Sequence, residues 1–211
     1  MSQGWEQLSM FTDKELGIEL VDSDYRIIGL TGYAQSGKDT LASVLVDRYG
    51  YRRIAFADTI RSFLYEVNPM VACSPTGYLK DLVNLVGWDK AKQEPQVRRI
   101  LQDLGMAARN AFGQDFWVKH ALKPYLANHP VVGAGNKLVI TDVRFINEAE
   151  TIQALGGQIW RVKRIGVAAV NSHVSEHEMD GYEVDQIFIN NGTVEDLEVL
   201  VQTRMRNAIS K

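Results

Sequence analysis

One stretch constrains this 211-residue chain more than any other: Ile27-Ile28-Gly29-Leu30-Thr31, running into Gly32-Tyr33-Ala34-Gln35-Ser36-Gly37-Lys38. The apolar, β-branched run has the character of a buried strand, and Leu41 to Tyr49 reads as a helix. Between them the glycines and the lysine have the spacing G-x-x-x-x-G-K of a phosphate-binding loop. A strand that reaches a helix through such a loop belongs to a parallel α/β sheet. Glycines let backbone N–H groups turn inward around a polyphosphate without interference from Cβ atoms. The N-terminus of the next helix adds a positive field, and Lys38 adds a mobile point charge for the terminal phosphates. A glycine turn that merely happens to precede a lysine would leave the flanking strand and helix unexplained. The residues expected to line the phosphates are Gly32, Ala34, Gln35, Ser36, Gly37, Lys38, Asp39 and Thr40.

Asp39 stands where a hydroxyl residue usually follows the lysine, and Thr40 comes one position later. A carboxylate aimed at a triphosphate would be repelled, so Asp39 is expected to point away or to reach the water shell of a metal. Thr40 is then the residue expected to hold Mg²⁺. Nucleoside monophosphate kinases such as adenylate kinase carry Gly-Lys-Gly-Thr here, and Gly-Lys-Asp-Thr resembles that form more than the loop of a GTPase or a motor.

The bulk composition sets outer limits. The length suits one α/β domain with small insertions, and 45% hydrophobic with 23% charged residues is ordinary for a chain with a full core. A net charge of −3 argues against a general nucleic-acid binder. The lone cysteine, Cys73, can form no internal disulfide and no metal site by itself. No stretch has the length of a membrane span and the acidic N-terminus does not read as a signal peptide, so the expected compartment is the cytoplasm.

Further along, Arg53 to Phe56 reads as a second strand, followed by a helix to Val67. Asp58 is placed to cap that helix. Asp58 and Arg61 would also lie at the carboxyl end of a strand, where open α/β sheets bind ligands. Their Asp-x-Ile-Arg segment resembles the acceptor-phosphate arginine segment of adenylate kinases. Helical stretches follow around Leu79 to Val86, from Pro95 through Leu104, and after Asp115. The second of these carries Arg98 and Arg99, which without context read as a solvated face. They precede Gln102, an amide able to read a base edge, and Gly105, where a ligand can approach closely. A third strand, Leu138 to Thr141, ends in Asp142, the position of an acid that orients a water on Mg²⁺. Arg144 would face the transferred phosphates. A helix from Asn147 to Leu155 closes at Gly156-Gly157, strands follow at Gln158 to Lys163 and Ile187 to Ile189, and a final helix covers Val194 to Ile209. His173-Val174-Ser175-Glu176-His177 matches the H-x-x-E-H pattern of inverted zinc peptidases. It sits in a polar connection rather than a long helix, and a peptidase would leave the phosphate loop without a use. A lid loop that shields bound nucleotide from water is the better reading.

Taken together, these segments resemble the bacteriophage deoxynucleoside monophosphate kinases. The resemblance rests on Ser36-Gly37-Lys38-Asp39-Thr40, Arg98-Arg99-Ile100-Leu101-Gln102-Asp103-Leu104-Gly105 and Phe116-Trp117-Val118-Lys119. It continues through Ile140-Thr141-Asp142-Val143-Arg144, His173-Val174-Ser175-Glu176 and Ile189-Asn190-Asn191-Gly192, in the same order. It implies an α/β P-loop NTPase fold, adenylate-kinase-like, with a parallel sheet flanked by helices. Residues 1–24 would be an N-terminal extension and 25–211 the kinase domain, with an acceptor-binding helical insertion at 68–130 and a lid-like connection at 165–183. The implied reaction transfers the γ-phosphoryl group of ATP, with Mg²⁺, to a deoxynucleoside monophosphate. The implied roles place Arg98 or Arg99 at the acceptor phosphate, Gln102 at its base, Arg164 as a clamp from the lid side, and Asn190 and Asn191 beside the ATP adenine. The resemblance also allows a homodimer, and for a phage protein the compartment would be the host cytoplasm.

In this reading Lys38, Asp58, Arg61, Arg144 and Arg164 carry the chemistry, and Thr40 and Asp142 set the metal. Catalysis of this kind is mostly positioning and charge neutralisation. A dephospho-coenzyme A kinase would share the loop and use Asp58 as a general base. A nucleotide switch or ATPase would leave the later arginines idle.

Overall fold

The structure, a computed structural model, describes residues 26–126, 137–168 and 173–209. The expected extension at 1–24 lies outside the described residues, as do positions 127–130 of the expected insertion and 169–172 of the expected lid. In chain order the elements are β1 (Ile27–Thr31), α1 (Lys38–Tyr49), β2 (Tyr51–Ile54), α2 (Phe56–Val67), α3 (Leu79–Val86), α4 (Trp88–Ala91) and α5 (Pro95–Phe112). They continue with α6 (Phe116–Leu126), β3 (Lys137–Ile140), α7 (Ile146–Ala154), β4 (Gln158–Lys163), α8 (Val174–His177), β5 (Gln186–Ile189) and α9 (Val194–Ile209).

Among the described residues the strands form one parallel sheet in the order β2-β3-β1-β4-β5. β1 lies at its centre, between β3 and β4, and every one of its residues is buried. That explains the continuous apolar run in place of alternation. Ile28 and Leu30 turn to one face and meet Leu41, Val44 and Leu45 of α1 together with Leu197, Val201 and Met205 of α9. Trp160 and Phe188 complete this layer, with ring centroids 5.1 Å apart. Each such fully buried side chain contributes about 1.5–3 kcal/mol relative to exposure.

The opposite face is covered by α7. Gly29 points there, and a Cβ built on it would stand 2.8 Å from the Cδ1 atoms of Ile152 and Ile159 and 2.9 Å from Val143 Cγ2. The absence of a side chain is what lets α7 sit close. Its C-terminus is closed by Gly156 at φ 75°, with Gly157 N–H donating to the Ile152 carbonyl, as the paired glycines led one to expect.

The crossover leaving β1 runs toward β2 and the one leaving β3 runs toward β4, so adjacent strands send the chain in opposite directions. The crevice at their carboxyl ends is therefore a topological switch point, the usual ligand position in an open α/β sheet.

Four boundaries differ from the sequence reading. The second strand ends at Ile54, because the register that pairs Tyr51 with Lys137 and Ile54 with Ile140 uses the strand up there. Ala55 is the N-cap of α2 and Phe56 opens it, so Asp58 lies inside the first turn and is not the cap. α5 continues past Gly105 to Phe112, since the good helix formers that follow outweigh a single glycine. A second compact unit spans Ala55–Ala121 and so begins before residue 68. Leu64 of α2 is part of its core with Val71, Leu79, Leu82, Val83 and Val97, which is why α2 belongs to it.

Gly29→Ala should lower the unfolding free energy by about 1–3 kcal/mol through overpacking against α7. That outweighs the roughly 0.4–1 kcal/mol gained by restricting the unfolded chain. Urea denaturation reads the difference, and an unchanged midpoint would mean that α7 has room to retreat.

Candidate active site

The loop after β1 takes its shape from three left-handed residues: Gly32 at φ 133°, Gln35 at φ 64° and Gly37 at φ 105°. A Cβ at Gly32 would overlap the Val162 carbonyl oxygen of β4, and one at Gly37 would overlap the Asn190 amide. Both glycines are thus required by space as well as by backbone angle. Gly37 caps α1 without a side chain, which leaves the first-turn N–H groups of that helix facing outward. The Lys38 ammonium donates to the carbonyls of Gly32 (2.6 Å) and Tyr33 (2.7 Å), so it lies back along the loop. Ser36 is 1% exposed and its hydroxyl has no hydrogen-bond partner among the described residues. Asp39, in the first turn, is exposed, and Thr40 is half-buried.

Asn190 and Asn191, expected beside the adenine, have partners within the protein. Asn190 is 7% exposed, and its side-chain amide donates to the Ser36 carbonyl at 2.8 Å, while its backbone N–H donates to Lys163. It ties the loop to the end of β5. The Asn191 side-chain oxygen accepts from Ile165 N–H at 2.9 Å and so holds the start of the β4–β5 connection.

At the end of β3, Val143 N–H donates to the Leu30 carbonyl, which keeps the segment carrying the half-buried Asp142 alongside β1. Arg144 is exposed. Its backbone N–H and that of Phe145 both donate to Glu148 Oε2, at 2.8 and 3.1 Å. Glu148, 4% exposed, thereby caps α7 and fixes the backbone from which Arg144 projects.

Sequence reasoning missed Arg161, which looks like an ordinary strand residue. Its guanidinium donates to the carbonyls of Met179, of Tyr182 at 3.0 Å and of Asp180 at 3.4 Å. Burial lowers its pKa from the usual value, with Asp180 and Tyr33 acting in the opposite sense.

Two cavities open at this edge of the sheet. One of about 370 Å³ is lined by Gln35, Gly37, Lys38, Asp39 and Thr40 of the loop and by Arg164, Asn190, Gly192 and Thr193. The other, about 380 Å³, is lined by Gly32, Tyr33, Ser36, Arg144, Arg161, Lys163, Arg164 and Asp180 with Val143, Val162 and Met179. Arg164 borders both.

Comparison with known proteins now decides the family. The family model described as deoxynucleotide monophosphate kinase matches residues 79–201, more than half of the chain. The chain belongs to the deoxynucleotide monophosphate kinase family. A protein of Acanthamoeba polyphaga mimivirus, named a putative deoxynucleotide monophosphate kinase, is 28% identical over 197 residues, 86% of this chain and 97% of its own length. An alignment that long must include the loop, which the family model does not reach. The deoxynucleotide monophosphate kinases of Escherichia phage RB69 and Enterobacteria phage T4 are 30% and 26% identical over 112 and 126 residues. These alignments cover 52% and 56% of this chain and 45% and 52% of the phage proteins, so the chain spans about half the length of each.

Of the other residues singled out in this kinase-family chain, Asp58, Arg61, Arg98, Arg99, Gln102 and Gly105 fall within the Ala55–Ala121 unit. There Asp58 Oδ1 pairs with Arg61 at 2.8 Å across one turn of α2. On α5, Arg98 and Gln102 are half-buried and one turn apart. Arg99 points elsewhere, its side chain 83% exposed and 3.5 Å from Asp103. Gly105 is a packing position: its carbonyl accepts the Trp117 indole N–H at 2.9 Å, and a Cβ there would make ordinary contact with Ile60. The two histidines of the peptidase-like motif have local partners. His173 Nδ1 caps α8 by accepting from Ser175 N–H, and His177 Nδ1 lies 3.1 Å from Asp180 Oδ2.

Asn190→Ala should cost about 1–3 kcal/mol of stability, because the buried Ser36 carbonyl loses its donor. Thermal unfolding measures this directly. A variant with unchanged stability and weakened ATP binding would instead favour the adenine contact.

Proposed function

We propose that this protein transfers the γ-phosphoryl group of ATP to a deoxynucleoside monophosphate, giving ADP and the deoxynucleoside diphosphate. The observation that carries the reading is Arg164, the cation shared by two cavities at the carboxyl edge of the sheet. The cavity with Lys38 and Thr40 suits the donor. The one with Arg144 and Arg161 suits the phosphate end of the acceptor.

The residues present fit the Mg²⁺ that such a reaction uses. Thr40 and Asp142 are hard oxygen donors, both half-buried, at the start of α1 and the end of β3. Bound there, the ion would neutralise charge on the phosphate oxygens. The loop's N–H groups and the first turn of α1 bind the β- and γ-phosphates. Lys38 moves with the transferred group, and Arg144 and Arg164 offset charge on donor and acceptor.

Acceptor recognition is assigned to Asp58, Arg61, Arg98 and Gln102. Arg99, paired with Asp103 on the solvent side, is the weaker of the two adjacent arginines for that role. Asp58 engages Arg61, and a phosphate nucleophile is already ionised near neutral pH, so Asp58 serves to orient Arg61 and not as a base.

The test is ADP formation from ATP across a panel of deoxynucleoside monophosphates, their ribonucleotide counterparts and dephospho-coenzyme A. At least one deoxynucleoside monophosphate should stimulate turnover strongly. Stimulation by none of them would sink the reading. Lys38→Ala should lower kcat by about 10²–10³-fold, comparable to losing one charge-stabilising donor in a closed site.

A further inference from the structure

The phosphate loop is tied down at both ends by the segment that follows β4. Asn190 holds its C-terminal side through the Ser36 carbonyl. On the N-terminal side, the Tyr33 hydroxyl donates to Asp180 Oδ1 at 2.9 Å across 147 residues of sequence. Asp180 does not stand on a loose loop. The turn that carries it is pinned by the Arg161 guanidinium, which takes the carbonyls of Met179, Asp180 and Tyr182. Next to it, Glu178 Oε1 accepts from Ile146 N–H at 3.0 Å and anchors the same turn to α7. His177 lies edge-on to the Tyr33 ring, with centroids 6.4 Å apart, and also touches the other oxygen of Asp180.

What Tyr33 holds in turn is Lys38. The backbone carbonyls of Tyr33 and its neighbour Gly32 accept the Lys38 ammonium. A line of direct contacts therefore runs from Arg161 through the 179–182 turn, Asp180 and Tyr33 to the lysine of the loop. We propose that Asp180 and Arg161 are positioning residues for Lys38, acting through the Tyr33 hydroxyl. The inference rests on the kinase reading for the role of Lys38, but its contacts belong to the loop alone. Neither residue touches Lys38, and none of the sequence motifs contains them.

The hydroxyl is removed with little other change in Tyr33→Phe, and its acceptor is removed in Asp180→Ala. Each single variant should weaken ATP binding about three- to tenfold, the net scale of one ordinary hydrogen bond, as read by titration with a fluorescent ATP analogue. The double variant should be no weaker than Asp180→Ala alone, because the two changes break one contact. Asp180→Asn, which keeps an acceptor oxygen, should recover most of the affinity. In turnover, kcat/KM for ATP should fall, and the melting temperatures of Tyr33→Phe and wild type should agree. Unchanged ATP affinity in both single variants, or losses that add in the double variant, would overturn the proposal. The titration needs no acceptor. A wild-type protein that binds ATP yet phosphorylates no monophosphate therefore removes the kinase reading and still judges this one, and a wild-type protein that binds no ATP overturns both.

Discussion

No Cβ fits at Gly32 or Gly37. At the first position it would strike the backbone of β4, and at the second the side chain that closes β5. The loop can therefore lie pressed onto the carboxyl ends of these strands only if both residues are glycine. Much else depends on that seat. It brings the Ser36 carbonyl within reach of Asn190 and the Tyr33 hydroxyl within reach of Asp180, so residues from the last third of the chain define a loop near its beginning. Gly29 makes the matching allowance on the opposite face, where α7 approaches the central strand.

This edge gathers Lys38, Arg144, Arg161, Lys163 and Arg164 although the chain carries a net charge of −3. Such a cluster is tolerable because its members are held apart by what they bind. Lys38 rests on two carbonyls of its own loop, Arg161 is spent on three carbonyls of a turn, and Arg144 projects from backbone fixed by the buried Glu148. Arg144, Lys163 and Arg164 are solvated. The arrangement answers a ligand with several negative charges, which is what two nucleotides undergoing phosphoryl transfer supply.

Much of the fold was legible from local pattern. The buried run of β1, the span of β4, the final helix and the Gly156-Gly157 stop all follow from periodicity and glycine chemistry that act within a few residues. The misreadings came where long-range pairing decided. The end of β2 is set by its register against β3, and the membership of α2 is set by packing in the Ala55–Ala121 unit. Asp58 had the right residue type for a cap at a place where the chain starts its helix two residues earlier.

By itself the sequence determined the phosphate loop, the acid and arginine after the third strand, and the family, because each is a short pattern whose chemistry is local. The tertiary structure decided the contacts of Asn190, Asp180 and Arg161. An asparagine after a strand, an aspartate in a turn and an arginine within a strand carry no signal of their own. Their meaning lies in the groups they reach, two sets of backbone carbonyls and the Tyr33 hydroxyl, and those are brought close only when β4 and β5 line up beside β1.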